Sequence, residues 1–160
     1  MITVIKPPFS ITKINSRNRV RIFLAGSIEM GKAIDWQTDF LDELKAYNLY
    51  QDIVVMNPRR DDWNDSWVQE FENPQFYQQV NWELNALDKA DIIVMYFSPG
   101  TKSPISLLEL GLYASSKKLL VCCPEGFWRK GNVDIVCEKY SIPNFDTLED
   151  LITFMEASLK

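Results

Sequence analysis

The sequence predicts an α/β domain in which a mostly parallel sheet of about five strands lies between two layers of helices, as a three-layer sandwich. Three observations predict this fold class. Four short apolar runs recur along the 160 residues, and none of them alternates with polar residues. Segments with the 3.6-residue spacing of amphipathic helices separate the runs. Residues 20–160 contain no linker, repeat or low-complexity tract, so they are expected to form one domain.

The four apolar runs are the predicted strands, at 22–25, 53–56, 92–97 and 119–123. Continuous apolar character is typical of strands in a parallel sheet, because helices cover both of its faces. Residues 1–19 are expected to add an arm or an edge strand. The Pro7-Pro8 pair in this segment argues against a central strand, since proline cannot donate to the hydrogen-bond ladder of a sheet.

Helices are predicted between the strands and at the end of the chain. The first covers about 34–45, and the second carries an apolar stripe at i, i+4, i+8 and i+11 from Phe76 to Leu87. The third, from Pro104 to about Lys117, is apolar nearly all round, which predicts deep burial. The last covers about 147–159. Strands that alternate with helices build βαβ units with right-handed crossovers.

The composition excludes several kinds of chemistry. Histidine is absent, so a Ser-His-Asp triad, a Cys-His dyad and an HExxH zinc site are all excluded. Acid, base or nucleophilic chemistry must come from carboxylates, thiols, hydroxyls or amines. The net charge of -5 argues against a nucleic-acid polymer as partner, because binding to a phosphate backbone requires a basic face.

The cysteines and the distribution of apolar residues indicate the compartment. Three cysteines, two of them adjacent and without a CxxC pair, are typical of a reduced intracellular protein. The first residues lack the features of a signal peptide. No apolar run approaches the ~20 residues that a membrane-spanning helix needs, so no contact with a membrane is expected. We therefore expect a cytoplasmic protein.

Ligands of open α/β sheets bind beyond the carboxyl ends of the strands, and three loops of this chain lie there. In the first loop, Gly26 allows a close approach of the backbone to a ligand, although a simple turn would also explain it. The second loop, 57–67, is long and charged and holds two tryptophans. Their rings suit stacking on a planar ligand, but they would equally cover the edge of the sheet or an oligomer interface.

The third loop leads into the apolar helix through Ser103 and Pro104. Serine at the cap and proline at the first helical position are typical of a helix start, so capping alone would explain Ser103. Glu109 stands two turns into this helix, among apolar neighbours. Because a buried carboxylate is usually paired, protonated or catalytic, Glu109 is either a catalytic residue or a satisfied structural carboxylate. Gly111 costs about 1 kcal/mol of helix propensity, which indicates a close approach by another group.

A second carboxylate, Glu83, lies at the border of the apolar stripe of the second helix, one turn past Gln79. Trp82 on the same helix fits the surface or an interface as well as a site. Asp91, just before the third strand, is expected to accept backbone N–H groups instead of joining a site. Glu83 and Glu109 are therefore the two candidate catalytic carboxylates.

Together these residues resemble the nucleoside 2-deoxyribosyltransferase family, over roughly residues 20–125. The segment 22–27, Ile-Phe-Leu-Ala-Gly-Ser, is similar to the first strand and ligand-facing glycine loop of that family. Glu83 and the segment that follows it to Val94 resemble its helix–strand unit, whose leading acid contacts the nucleobase. The segment 109–114, Glu-Leu-Gly-Leu-Tyr-Ala, resembles its E-L-G-x-A helix, whose glutamate is the nucleophile. The segment 117–121 matches the turn and strand that follow.

The resemblance implies an enzyme that moves a 2′-deoxyribosyl group between nucleobases. Glu109 would attack the anomeric carbon and form a covalent glycosyl-enzyme intermediate, as in retaining glycosidases. Glu83 would hold or protonate the leaving base, at a position where the family more often has aspartate. Such a mechanism needs neither a metal nor an organic cofactor. We accordingly predict a flavodoxin-like or Rossmann-like arrangement of the strands.

The chain departs from the family pattern at the sugar-binding position. Many of the transferases have an aspartate six residues before the nucleophile, and here that residue is Ser103. The related deoxynucleoside 5′-monophosphate N-glycosidases also have serine there, and Ser103 with Thr101, Lys102 and the helix N-terminus would suit a phosphate. That branch keeps glycines between the serine and the glutamate, which this chain lacks. The 5′ group of the substrate therefore stays open.

Three functions follow from these residues: 2′-deoxyribosyl transfer between nucleobases, hydrolysis of deoxynucleoside 5′-monophosphates, and non-catalytic nucleotide binding. The first is our prediction, with nucleosides and free nucleobases as small-molecule partners. Family members complete their sites from a neighbouring subunit, so a homo-oligomer is expected, with Asn132 as the contributed residue. The residues expected to bind substrate are Gly26, Ser27, Asn57, Arg59, Trp63, Trp82, Thr101, Ser103 and Asn132.

Overall fold

The computed structural model describes residues 1–11, 19–29, 33–47, 50–62, 64 and 66–159. This part of the chain holds six strands and five α-helices. The strands are β1 (Ile2–Ile5), β2 (Arg19–Gly26), β3 (Asp52–Met56), β4 (Ile92–Tyr96), β5 (Leu119–Cys122) and β6 (Asn144–Phe145). The helices are α1 (Trp36–Ala46), α2 (Pro74–Lys89), α3 (Pro104–Tyr113), α4 (Lys130–Tyr140) and α5 (Leu148–Ser158).

All six strands run parallel in one sheet, in the order β1-β3-β2-β4-β5-β6. Without β1, this is the 2-1-3-4-5 order of flavodoxin-like folds. The predicted α/β sandwich with a mostly parallel sheet is confirmed, and the sheet has six strands where the sequence predicts about five. β1 occupies one edge, where its register places Ile2 beside Ile53 and Ile5 beside Met56.

The core forms two layers, one on each face of the sheet, because successive residues of a strand point to opposite faces. In β2, Phe23 and Ala25 face the layer built with α2, α3 and α4. Ile22 and Leu24 face the layer built with α1 and α5. All four side chains are buried, which explains why β2 contains a continuous apolar run instead of an alternating one.

The elements near the end of the chain include two that the sequence pattern does not predict, α4 and β6. The buried residues of α4 are Val133 and Cys137, and β6 is two residues long. Neither element therefore leaves a strong periodic pattern of apolar residues along the sequence.

α3 packs differently from the prediction. Ile105, Leu108 and Leu112 are each more than half exposed, whereas Glu109 and Leu110 are buried. The prediction that this helix is deeply buried all round is therefore wrong, because only one side of it faces the core. None of the helices in the described ranges is both long and apolar enough to cross a membrane.

β2 and β4 are neighbours at the centre of the sheet, and Gly26 at the end of β2 lies beside Tyr96 at the end of β4. Gly26 has a φ of 141°, and a Cβ built on it would lie 2.3 Å from the carbonyl oxygen of Tyr96. Only glycine fits such a close approach of two backbones. The loops after the two strands therefore meet at the switch point of the sheet, where doubly wound folds bind their ligands.

Candidate active site

Three hydroxyl groups meet where these loops touch, and we call Ser27, Thr101 and Ser103 the hydroxyl cluster. The Oγ of Ser27 lies 2.9 Å from Oγ1 of Thr101 and 2.5 Å from Oγ of Ser103. The oxygens of Thr101 and Ser103 are 2.8 Å apart. The backbone N–H of Ser98 donates to Ser27, and Thr101 donates to the carbonyl oxygen of Ser98. The structure thus brings three of the predicted substrate-binding residues together.

Ser103 precedes the first residue of α3, as predicted, but its side chain does not cap the helix. Its φ of 45° lies in the left-handed region, and its hydroxyl turns to the other members of the cluster. Glu29 supplies an anion at this end of the helix instead. Its Oε1 accepts the backbone N–H groups of Lys102 at 3.1 Å and of Ser103 at 2.8 Å. A carboxylate therefore occupies the place that would suit a phosphate.

Glu109 lies in the second turn of α3, on the side that faces the core, and is 7% exposed. Among the residues that the structure describes, none donates a hydrogen bond to its carboxyl group. Burial, followed by the negative charge of Glu83, raises the pKa of Glu109 to about 8. The sequence left open that Glu109 is a structural carboxylate with hydrogen-bond partners in the chain. The described residues provide no such partner.

Glu83 lies on α2 and is partly exposed. Gln79, one helical turn earlier, donates from Nε2 to Oε1 of Glu83 at 2.5 Å and to the carbonyl oxygen of Pro58 at 3.1 Å. Burial raises the pKa of Glu83 to about 7, and the hydrogen bond from Gln79 opposes that rise. Glu83 is thus held in place by an amide, and its pKa lies close to neutral pH.

We call Glu83 and Glu109 the carboxyl pair, because the charge of the first acts on the second. Two buried carboxyl groups that interact resist being ionised together, and their protons belong to the pair rather than to either residue. With pKa values raised to about 7 and about 8, the pair holds about one proton between these two pH values. One carboxylic acid and one carboxylate are therefore available at the same pH.

The loop after β3 uses its predicted residues in contacts within the chain. Asn57 is buried, and its Oδ1 accepts the backbone N–H of Arg59. The guanidinium of Arg59 donates to the carbonyl oxygens of Ala33 and Ile34, which ties this loop to the segment before α1. Trp63 lies outside the described residues.

Trp82 and Asn132, two further predicted binding residues, lie in different surroundings. Trp82 is buried in the core with its ring 6.5 Å from that of Phe23, and its indole N–H donates to the carbonyl oxygen of Phe9. Asn132 is exposed in the first turn of α4. The structure thus gives Trp82 a packing role and leaves Asn132 accessible to another molecule.

Sequence reasoning gave no role in the site to Gln79 or Glu29, which contact Glu83 and Ser103 in the structure. Gln79 precedes Glu83 by four residues, so the i, i+4 spacing on a helix is a signal that could have found it. Glu29 reaches Ser103 across 74 residues of sequence, and no local pattern predicts such a contact.

Fold and site together define an α/β protein of flavodoxin-like strand order, with a carboxyl pair and a hydroxyl cluster as its candidate functional groups. The chain belongs to the family described as nucleoside 2-deoxyribosyltransferase like, whose model matches residues 19–127. The predicted family is confirmed. Membership supports a glycosyl-transfer or hydrolase type of function and implies nucleosides as small-molecule substrates.

The fold has a relative among solved structures, a conserved protein from Enterococcus faecalis V583. The TM-score is 0.60 at 11% sequence identity, and the match covers 88% of this chain and 99% of that chain. At this identity the likeness shows the fold alone. A comparison of the sequence with curated proteins finds no match.

Proposed function

We propose that the protein transfers 2′-deoxyribosyl groups between nucleobases through a covalent glycosyl-Glu109 intermediate. The observation that carries this proposal is the carboxyl pair, in which the buried Glu109 and the half-buried Glu83 interact and have pKa values raised to the neutral range. Displacement at an anomeric carbon needs one carboxylate as nucleophile and one carboxylic acid to protonate the leaving group. A pair that holds about one proton near neutral pH supplies both.

The two members of the pair have different surroundings, and these assign the roles. Glu109 receives no hydrogen bond from the described residues, so the lone pairs of its carboxylate are available for attack. One oxygen of Glu83 is engaged by Gln79, which suits a group that holds a proton in a fixed position. The pKa of Glu109 is the higher of the two, so the shared proton lies mostly on Glu109 at rest, and the reactive form is the one in which it has moved to Glu83. In that form Glu109 is the nucleophile and Glu83 the general acid and base.

In the first half-reaction, an oxygen of Glu109 forms a bond to C1′ while the N-glycosidic bond breaks. The electron pair of that bond passes to the base, and the proton of Glu83 moves to a base nitrogen. In the second half-reaction, a nitrogen of the incoming base attacks C1′ and gives its proton to Glu83. The electron pair of the ester bond returns to Glu109, so the carboxyl pair regains its starting state.

The surroundings of Glu29 favour nucleosides over 5′-monophosphates as substrates. Its carboxylate already accepts the backbone N–H groups of Lys102 and Ser103 at the start of α3. A phosphate at this position would have to displace that carboxylate or lie beside it against charge repulsion. We therefore assign the hydroxyl cluster to the uncharged sugar, with Ser103 and Thr101 as its contacts.

The exposed side of α3 supports the proposal that the protein is a homo-oligomer. Ile105, Leu108 and Leu112 form an exposed apolar strip on the helix that carries Glu109. Gly111 lies on the exposed side as well, and a Cβ added there would meet no described atom within 4 Å. The helix-weakening glycine thus has no packing reason within the described chain, and a second copy that approaches closely would supply one.

We place the protein in the cytoplasm, as the state of its thiols supports. Cys122, Cys123 and Cys137 are free and buried. Unpaired cysteines are typical of compartments that keep thiols reduced. The proposed mechanism uses carboxyl groups throughout, so no step in it calls for a metal or an organic cofactor.

Incubation with 2′-deoxyinosine and free adenine, followed by chromatography, tests the proposed function. Formation of 2′-deoxyadenosine is expected, and mass spectrometry of acid-quenched protein should find a deoxyribosyl adduct on the peptide that contains Glu109. A parallel tube contains 2′-deoxyinosine 5′-monophosphate. Free base from the nucleotide alone would favour the monophosphate hydrolase, and binding without turnover in either tube would favour the non-catalytic module.

The oligomer is tested by light scattering after size-exclusion chromatography. Leu108→Asp should dissociate the assembly, because it places a charge in the middle of the apolar strip. Glu138→Ala, at an exposed position of α4, is the matched control and should leave the mass unchanged. A monomeric wild-type protein would rule out the proposed assembly.

A further inference from the structure

The amide of Gln79 lies between Glu83 and the loop after β3. Gln79 is 5% exposed. Its Nε2 lies 3.1 Å from the carbonyl oxygen of Pro58 and 2.5 Å from Oε1 of Glu83. Its own Oε1 is buried without a hydrogen-bond partner among the described residues.

The carbonyl oxygen of Pro58 fixes which way the amide faces. A carbonyl oxygen only accepts hydrogen bonds, so the atom of Gln79 that faces it must be the NH₂ group. That group has two hydrogens, and the structure provides one acceptor for each of them: Pro58 and Glu83. A rotated amide would set its oxygen against the oxygen of Pro58 and would lose that hydrogen bond.

The orientation of the amide in turn decides where Glu83 carries its proton. Because the NH₂ group of Gln79 donates to Oε1 of Glu83, this oxygen must act as an acceptor whether the carboxyl group is ionised or not. A proton on Oε1 would meet a donor. The proton of the neutral acid therefore belongs on Oε2, the oxygen that Gln79 does not touch.

We propose that Gln79 is a positioning residue. Its hydrogen bond to the carbonyl oxygen of Pro58 fixes the orientation of its amide, and its hydrogen bond to Oε1 of Glu83 confines the proton of Glu83 to Oε2, from which the proton passes to the leaving base. The inference rests on the proposed function, since it assumes that Glu83 protonates the base. In the reaction the Oε2–H bond breaks, its proton forms an N–H bond on the departing base, and Oε2 keeps the electron pair.

Oε1 of Gln79 has no hydrogen-bond donor in the part of the chain that the structure describes, so stability does not explain this arrangement. A buried acceptor without a donor loses its hydration without regaining a hydrogen bond, which destabilises the fold. An apolar side chain of similar length would avoid this cost. The amide is therefore best explained by the hydrogen bond that it gives to Glu83.

The test compares Gln79→Met, which keeps the length of the side chain and removes its donors, with Gln78→Met on the exposed side of α2. Two donors are used: 2′-deoxyinosine, whose base needs a proton to leave, and 7-methyl-2′-deoxyinosine, whose cationic base leaves without one. Gln79→Met should lower kcat for 2′-deoxyinosine by roughly tenfold to a hundredfold and have little effect on the methylated donor. Gln78→Met should match the wild type on both donors.

A second readout does not depend on turnover. The carbon-13 signal of the Glu83 carboxyl group, assigned by its loss in Glu83→Gln, reports its titration. Gln79→Met should move this titration to higher pH, because the amide no longer stabilises the ionised form. Equal losses of kcat on both donors, or an unmoved titration, would overturn the role of Gln79. A wild type without turnover but with the shifted titration would overturn the proposed function and leave the hydrogen-bond geometry intact.

Discussion

Carboxyl groups at the two ends of the parallel strands have opposite surroundings, and we call these ends the amino edge and the carboxyl edge of the sheet. At the amino end of β4, Asp91 accepts the backbone N–H of Arg21 and two bonds from its guanidinium, and these contacts hold its pKa below the ordinary value. Near the carboxyl ends of the strands, Glu83 has one amide donor and Glu109 none among the described residues. Their pKa values are raised.

This contrast separates carboxyl groups that stabilise the fold from carboxyl groups that are able to react. A carboxylate that is paired with a cation and accepts N–H donors is stabilised as an anion, which makes it a poor nucleophile and a poor proton donor. A carboxyl group buried without them is costly, and such groups cluster where chemistry is carried out. We therefore expect substitutions at the carboxyl edge to change activity and substitutions at the amino edge to change stability alone.

The largest effect is expected from Glu109→Ala. Without the nucleophile no covalent intermediate forms, and the transfer rate should fall by about 10⁴-fold or more. Circular dichroism should show an unchanged fold, since the substitution removes a carboxyl group that makes no hydrogen bond with the described chain. A rate near that of the wild type would remove Glu109 from the mechanism.

Glu83→Gln should have the next largest effect, a loss of about 10²–10⁴-fold on donors whose base needs protonation. The pH dependence of kcat/KM should change with it. In the wild type the singly protonated pair is the active form, so the rate falls on both sides of a maximum near pH 7–8. In the variant the alkaline fall should disappear, because no acid remains to be deprotonated.

Direct titration of Glu109 provides a further check on the coupling. At alkaline pH Glu83 is ionised in the wild type, so Glu83→Gln removes a negative charge and should move the carbon-13 titration of the Glu109 carboxyl group to lower pH. An unmoved titration of Glu109 would mean that the two carboxyl groups do not interact in solution.

The sequence predicts the central sheet well because its signal is local. Strands buried on both faces must be apolar throughout, and all four predicted runs became strands β2 to β5. Glu109 is also identified by a local signal, because it is an ionisable residue within an otherwise apolar helix. The i, i+4 spacing of Gln79 and Glu83 is also visible in the sequence, but the sequence does not predict the hydrogen bond between them.

What the sequence could not predict depends on contacts between distant segments. The exposed residues Ile105 and Leu108 look the same in sequence whether they face a core or the surface. Ser103 has the residue type of a cap, yet a left-handed φ turns its hydroxyl to Ser27, which is 76 residues away. The hydrogen bond from Gln79 to the carbonyl oxygen of Pro58 likewise joins two distant segments, and no periodic pattern in the sequence predicts it.

Stability should respond to pH through Glu109 in a direction opposite to that of an ordinary ion pair. Its pKa is raised from 4.5 to about 8, so between these values the folded state holds a proton that the unfolded state has released. The free energy of unfolding therefore falls as pH rises, by up to about 1.4 kcal/mol per pH unit from this group.

Urea denaturation of Glu109→Gln at several values between pH 5 and pH 8 measures this contribution. The variant should lose less stability than the wild type over the interval, so that the two curves separate as pH rises. Glu138→Gln, at an exposed position, should follow the wild type. Parallel curves for Glu109→Gln and the wild type would show that Glu109 is not desolvated.

The smallest effect is expected at the amino edge, from Asp91→Asn. The pKa of Asp91 is lowered, so its stabilising contribution is present above its ordinary pKa and is lost as pH falls through the folded value. Because the ion pair with Arg21 is partly exposed, its loss should cost no more than about 1 kcal/mol at pH 7. Urea denaturation should show this difference at pH 7 and a smaller one at acidic pH, while the transfer rate at pH 7 stays unchanged. A transfer rate that fell with Asp91→Asn, in a protein that remains folded, would break the division between a stabilising and a reactive edge of the sheet.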